Sequence, residues 1–207
     1  ISYSAAISAC EKTLQWRSAL RLLACMPSAG LQPDTVSYNA AMGAHERAGQ
    51  WSEALHLLAS MPLAGLRPSA ASYNAAASAL HGQAPALRVF CEGLRAGLFP
   101  GLLPRGPLLL DLHGTSPTAG ALAVWWWLHE VLPGALRGRQ EPPRRLTVVT
   151  GWGRHRRKAT APVRATVEEF MRLLGLRRVP APNEKGCLSF APPAWAAGAA
   201  ARGGRGP

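Results

Sequence analysis

The chain has 207 residues, 48% of them hydrophobic, and a formal net charge of +12 at pH 7. That length can bury a useful core in one or two domains. The longest apolar run, 119–128, has 10 residues and is too short to span a bilayer. Residues 1–100 hold 7 Lys/Arg against 5 Asp/Glu and residues 101–207 hold 16 against 6, so +2 falls in the first half and +10 in the second. Such asymmetry favours nucleic acid over a small neutral substrate, with a membrane surface as the weaker alternative. Cys10, Cys25, Cys91 and Cys187 lie far apart without a CxxC or Cys/His metal spacing. They read as reduced packing residues of an intracellular compartment, and no metal site is predicted. The chain starts at Ile1 inside a patterned segment, which reads as a fragment of a longer protein, so a missing targeting peptide carries no information.

The first third repeats itself. Residues 1–34 align without gaps on residues 36–69 with 19 identities, among them Tyr3/Tyr38, Trp16/Trp51, Met26/Met61, Gly30/Gly65 and Pro33/Pro68. A third copy opens at Ala71, loses three residues near His81 to Gln83, and ends at Pro100. Self-similarity on this scale predicts a solenoid. Within a unit, Tyr38, Ala41, Met42 and Ala44 supply the apolar face of a first helix. A break follows at Ala48 and Gly49, and Trp51, Ala54, Leu55, Leu57 and Leu58 mark a second helix. Gly65 with Pro68 is a stop signal. Two and a half units are marginal for such a stack, so further repeats upstream are expected.

The period of 35, the [VI]-S-Y-[NS] opening, the Trp/Ala-Leu second helix and the G-L-x-P-[DS] ending resemble the pentatricopeptide repeat family. The W-x2-L-G-x2-Y pattern of the tetratricopeptide alternative is missing. The resemblance implies binding of single-stranded RNA, about one base per repeat. By it, the base-reading positions pair Ser4 with Asp34, Asn39 with Ser69, and Asn74 with a position near Gly101. Short amides, hydroxyls and carboxylates suit a base edge. The alternative, in which Asn39 and Asn74 cap their helices, stays open.

A Gly/Pro-rich stretch, 96–107, breaks the pattern. LLLDLHG at 108–114 predicts a buried strand, and SPTAGALAVWWWLHEVLPG predicts a helix with Ser116 as N-cap and a stop at Pro133-Gly134. Of Trp125, Trp126 and Trp127, only some can face a core, while His45, His56 and His129 read as surface or packing residues. RLTVVTG at 145–151 is a second strand, 162–174 a helix ended by Gly175, and RRVP and CLSF one or two further strands. This order predicts a small α/β sandwich with a mainly parallel core. The tail from 191 is rich in Ala, Gly and Pro and predicts disorder. Loops beyond the carboxyl ends of adjacent parallel strands meet, which would bring DLHG and TGWGRHRRK together.

LDLHG at 110–114 and TGWGRHR at 150–156, in this order after the repeats, resemble the small MutS-related (Smr) domain, with Arg156 where repeat-bearing members usually have serine. The resemblance implies organellar RNA processing or gene expression, in a plastid before a mitochondrion, and some Smr domains nick nucleic acid. Protein partners in RNA processing and no membrane association are the companion expectations. The implied architecture is an α-helical hairpin solenoid, α/β sandwich and tail: repeats at 1–34, 35–69 and 70–100, linker 101–107, Smr domain 108–190, tail 191–207.

Cutting a phosphodiester, by hydrolysis or transesterification, needs a base, an acid and charge stabilisation at phosphate. Asp111 would orient a water or hold a cation, His113 would act as base and His155 as acid; a nuclease of this kind would draw on Mg2+ or work without metal. The alternative is that Asp111 merely caps a loop. Trp152, Arg154, Arg156, Arg157 and Lys158 are the candidate phosphate or base contacts, within a run of eight Lys/Arg and one acid, Glu141, over 137–158. Sequence-selective RNA binding, an RNA endonuclease and a non-enzymatic protein scaffold are the three readings carried forward.

Overall fold

A computed structural model describes residues 2–137, 139, 141, 143–151, 162–180 and 186–195. The chain divides into two compact units, Ile1–Phe99 and Pro100–Pro207.

The first unit is three helical hairpins: α1 (Tyr3–Lys12) with α2 (Trp16–Cys25), α3 (Thr35–Arg47) with α4 (Trp51–Ser60), and α5 (Ala70–Ala79) with α6 (Pro85–Arg95). The first helix of each hairpin packs on the first helix of the next, α1 on α3 and α3 on α5. Alanines make this possible: Ala40, Ala41, Ala44, Ala76, Ala77 and Ala79 are all buried, so the backbones approach closely. The helix starts are written locally. Asp34 and Ser69 each accept a backbone N–H three residues on, and Ser69 completes a reciprocal capping box with Ser72. Gly30 and Gly65 end the hairpins at φ of 72° and 74°, a region that a side chain at these positions would strain. In the shortened third repeat the first helix ends at Ala79, and Phe90 stacks on Phe99 at 5.4 Å between ring centres.

His45 is fully buried in α3, with its ring 5.3 Å from that of Trp16 on α2. Neither ring nitrogen has a hydrogen-bond partner among the described residues. Burial holds its pKa below the ordinary 6.5, and the Glu53 carboxylate opposes this more weakly. The neutral ring therefore contributes stability that is fully present above the unfolded value and is lost as pH falls from there towards the folded one. The gap in thermal midpoint between wild type and His45→Leu should shift against the wild type below about pH 6.5, the unperturbed histidine value. A pH-independent gap would show that burial does not hold His45 neutral.

The second unit holds a three-stranded sheet, β1 (Leu109–Asp111), β2 (Leu146–Val149) and β3 (Cys187–Phe190), in the order β1-β2-β3. The pair β1/β2 is parallel and β2/β3 antiparallel, so the mainly parallel core expected from the sequence is corrected to one pair of each kind. RRVP contributes only a single bridge, Arg178 to Phe190. Helix α7 (Pro117–Trp126) starts on Ser116 and packs on α9 (Pro162–Leu173). Gly120 permits that approach, since a Cβ there would lie 3.2 Å from Val163 Cγ1. Leu110, Leu112, Leu146, Val148, Leu188, Val167, Met171 and Trp127 are all buried.

Three further expectations change. Pro133-Gly134 does not stop the helix: a π-helical turn, Trp127–Val131, leads into α8 (Leu132–Leu136). Pro133 sits in the first turn of α8, where its missing N–H costs nothing. Residues 101–107, expected as a linker, are built into this unit, because Leu102 is buried and its carbonyl accepts the N–H of Asp111 at 2.8 Å. Cys25 is exposed rather than a packing residue. The tail expected to be disordered lies outside the described residues from 196 onward.

Candidate nucleic-acid interface

Successive repeats are joined through side chains at the starts of their first helices. Ser4 Oγ lies 3.1 Å from Ser37 Oγ, and the Ser37 hydroxyl donates to Asp34 Oδ1, which also accepts the Ser37 N–H at 2.8 Å. Those bonds hold the Asp34 carboxyl below its usual pKa, keeping it an ionised acceptor. Ser37 and Ser72 are the residues that sequence reasoning passed over. Their signal was present: serine recurs at 2, 37 and 72, always before tyrosine.

Asn39 and Asn74 do not cap their helices. Each is the fifth residue of its helix, and the caps are Asp34 and Ser69. Both amides are half-buried, and in both the Oδ1 atom is shielded and without a partner among the described residues. A shielded acceptor without a partner is unfavourable, and no hydrogen bond among the described residues fixes either Oδ1. Asp34 and Ser69, by contrast, are engaged in capping.

In the second unit the parallel register sets Asp111 opposite Val149, and Leu112 N–H donates to Val149 O at 2.7 Å. The strand stops at Asp111, earlier than the 108–114 expected, because its carboxylate turns the chain. Asp111 Oδ1 accepts both the His113 N–H at 3.0 Å and the His113 ring Nδ1 at 2.7 Å. The D-x-H pair is thus a local turn and not two side chains on one strand face. With Nδ1 donating to the carboxylate, Nε2 carries the lone pair on a ring that is 71% exposed. Gly151 adjoins His113: a Cβ built there would lie 3.5 Å from His113 Cβ. Its φ of 81° carries the chain out of β2. Thr150, buried beside it, donates its N–H to Gly186 O at 2.8 Å.

Residues 33–81 match the PPR repeat family, and residues 1–31 match the PPR repeat. The matched residues cover the first two repeats and the first helix of the third. No curated protein matches the chain. The third PPR copy runs past the matched residues, where the shortened turn before α6 departs from the first two. Gly101, the expected partner of Asn74, falls in the second unit and has no side chain with which to read a base.

His155, Trp152, Arg154, Arg156, Arg157 and Lys158 lie outside the described residues. Among the described residues no group of three or more His, Cys, Asp or Glu side chains forms a metal cluster. Asp111 Oδ2 has no hydrogen-bond partner there, so Asp111 fits Mg2+ as a single carboxylate ligand, the form in which that ion takes phosphate and water for its other positions. No described helix is long and apolar enough to cross a membrane.

Proposed function

We propose that this protein binds single-stranded RNA, its PPR repeats selecting bases and its second unit acting as an Smr-type domain on the bound strand. The observation that carries this reading is the recurrence of an uncommitted amide, Asn39 and Asn74, at the same place in successive repeats. Ser4 stands at the corresponding place in the first repeat, with Asp34 and Ser69 at the junctions. The +10 charge of residues 101–207 supports a polyanionic partner. By resemblance the setting is RNA processing in an organelle, a plastid before a mitochondrion, with protein partners from the same process.

A second reading, endonuclease action, is favoured by the Asp111–His113 pair. Its Nε2 is free to take a proton from an attacking hydroxyl while Asp111 stabilises the resulting imidazolium. Arg154 or Lys158 would neutralise the phosphate and His155 would protonate the leaving oxygen. Bound Mg2+ would supply further charge stabilisation at phosphate.

One experiment tests both readings. The chain is incubated with labelled RNA pools, with and without magnesium, and both retained sequences and cuts are scored. Retention with a base preference is the expected result; a chain that binds peptides and loses no affinity at raised salt would be a scaffold. Cutting by the domain should vanish in Asp111→Asn and His113→Ala while retention persists. Equal cutting by all three proteins assigns the activity to other residues.

A further inference from the structure

The run of eight Lys/Arg over 137–158 is continuous in sequence but not in space, because β2 lies inside it. Arg137, Arg139, Arg144 and Arg145 precede the strand, and the remaining cations from Arg154 follow it. Of these, Arg139, Arg144 and Arg145 line a cavity of about 580 Å³ with Leu108, Pro143, Val179 and Pro180. Leu108 and Arg145 each stand one residue before a parallel strand, so the cavity sits at the amino-terminal edge of the sheet. Asp111 closes β1 at the other end, about 10 Å from Leu108 at about 3.3 Å per strand residue, and His113 and Gly151 stand beyond the carboxyl ends of β1 and β2.

Among the described residues no acidic side chain lines this cavity. Among the described residues none of the three guanidinium groups makes an ion pair or a hydrogen bond. Three other arginines of the unit, by contrast, are paired. Arg172 pairs with Glu169 at 2.6 Å, and Arg164 and Arg178 share Glu168 at 3.3 and 3.4 Å. The floor is held by the core: Trp127 Nε1 donates to Pro107 O at 2.6 Å, Thr147 N–H to Leu108 O at 3.1 Å, and Val179 N–H to Ser189 O at 2.9 Å. Three unneutralised planar forks on a braced recess suit phosphate oxygens. A membrane surface would call for exposed large apolar or aromatic anchors, and of the apolar lining Pro143 is buried, Leu108 and Val179 are half-buried and Pro180 alone is exposed.

We propose that Arg139, Arg144 and Arg145 form a phosphate site at the amino-terminal edge of the sheet, taken by the backbone of single-stranded RNA. This rests on the RNA-binding reading and adds to it a second contact, separate from the Asp111–His113 end. The bound strand then runs along the parallel pair and engages both ends of β2.

The test uses the full chain and a fluorescent oligouridylate, with affinity measured across a salt series. Arg139→Gln, Arg144→Gln and Arg145→Gln together should flatten the log–log salt slope by about 2, since each single-strand phosphate contact contributes about 0.7. Arg164→Gln, Arg172→Gln and Arg178→Gln together remove the same charge from paired arginines and should leave the slope near wild type. Equal flattening by both triples, or none by the first, overturns the site. So does a wild type that binds no RNA. Loss of binding to phosphatidylserine vesicles in the first triple, with the RNA slope unchanged, assigns the cluster to a membrane and overturns it too. Base preference is scored separately on the RNA pools. A cluster-dependent slope without base preference supports the site and sinks the repeat reading alone.

Discussion

Trp127→Ala should destabilise the second unit by about 3–5 kcal/mol, the range for truncating a buried aromatic side chain. Trp127 is fully buried and is the largest such side chain among the described residues. It also donates to Pro107 O at 2.6 Å, fastening the segment that enters β1. Trp127→Phe separates the two contributions. It keeps most of the apolar area but leaves the Pro107 carbonyl without its donor, at a cost of about 1–3 kcal/mol. Hydrogen exchange localises the effect: protection in β1, β2 and β3 should fall in step with the loss measured by denaturant. A change below about 1 kcal/mol, typical of surface positions, would remove Trp127 from the core.

Asn39→Ala and Asn74→Ala should each erase base preference at one position of the bound RNA. A two-point contact to a base edge discriminates by about 1–3 kcal/mol, so affinity for the preferred sequence should fall about 5- to 150-fold. Stability should hold, because each substitution removes a shielded oxygen that has no partner. Asp34→Ala and Ser69→Ala should in addition lose about 0.5–2 kcal/mol of stability with the helix cap. Selection on randomised pools reads the first effect and thermal unfolding the second. Asparagine variants that melt early with base preference intact would make Asn39 and Asn74 packing residues.

The helical hairpins were legible because everything that makes them is local. Caps at Asp34 and Ser69, turns at Gly30 and Gly65 and the spacing of apolar residues each act within a few positions. The Asp111–His113 pair was also legible, since two residues of separation suffice for it, although the sequence pattern placed it on a strand and the turn places it beyond one. The helix stop was misread for a related reason. Pro-Gly is a strong local signal, but the buried Trp127, Leu128 and Leu132 draw the chain through a π turn and leave Pro133 where no N–H is needed.

By itself the sequence determined the repeat, its period and the basic half, because each follows from neighbours along the chain. Only the tertiary structure decided which groups are left without partners. His45 is buried because α2 brings Trp16 against it, and Ser37 links Ser4 to Asp34 because α1 stacks on α3. The antiparallel placing of β3 comes from pairing across 36 residues or more, which no local signal reports. The charge run was divided in the same way. Burial of Leu146 and Val148 extends the chain between Arg145 and Gly151, and an extended strand carries its two ends apart whatever charges stand at them.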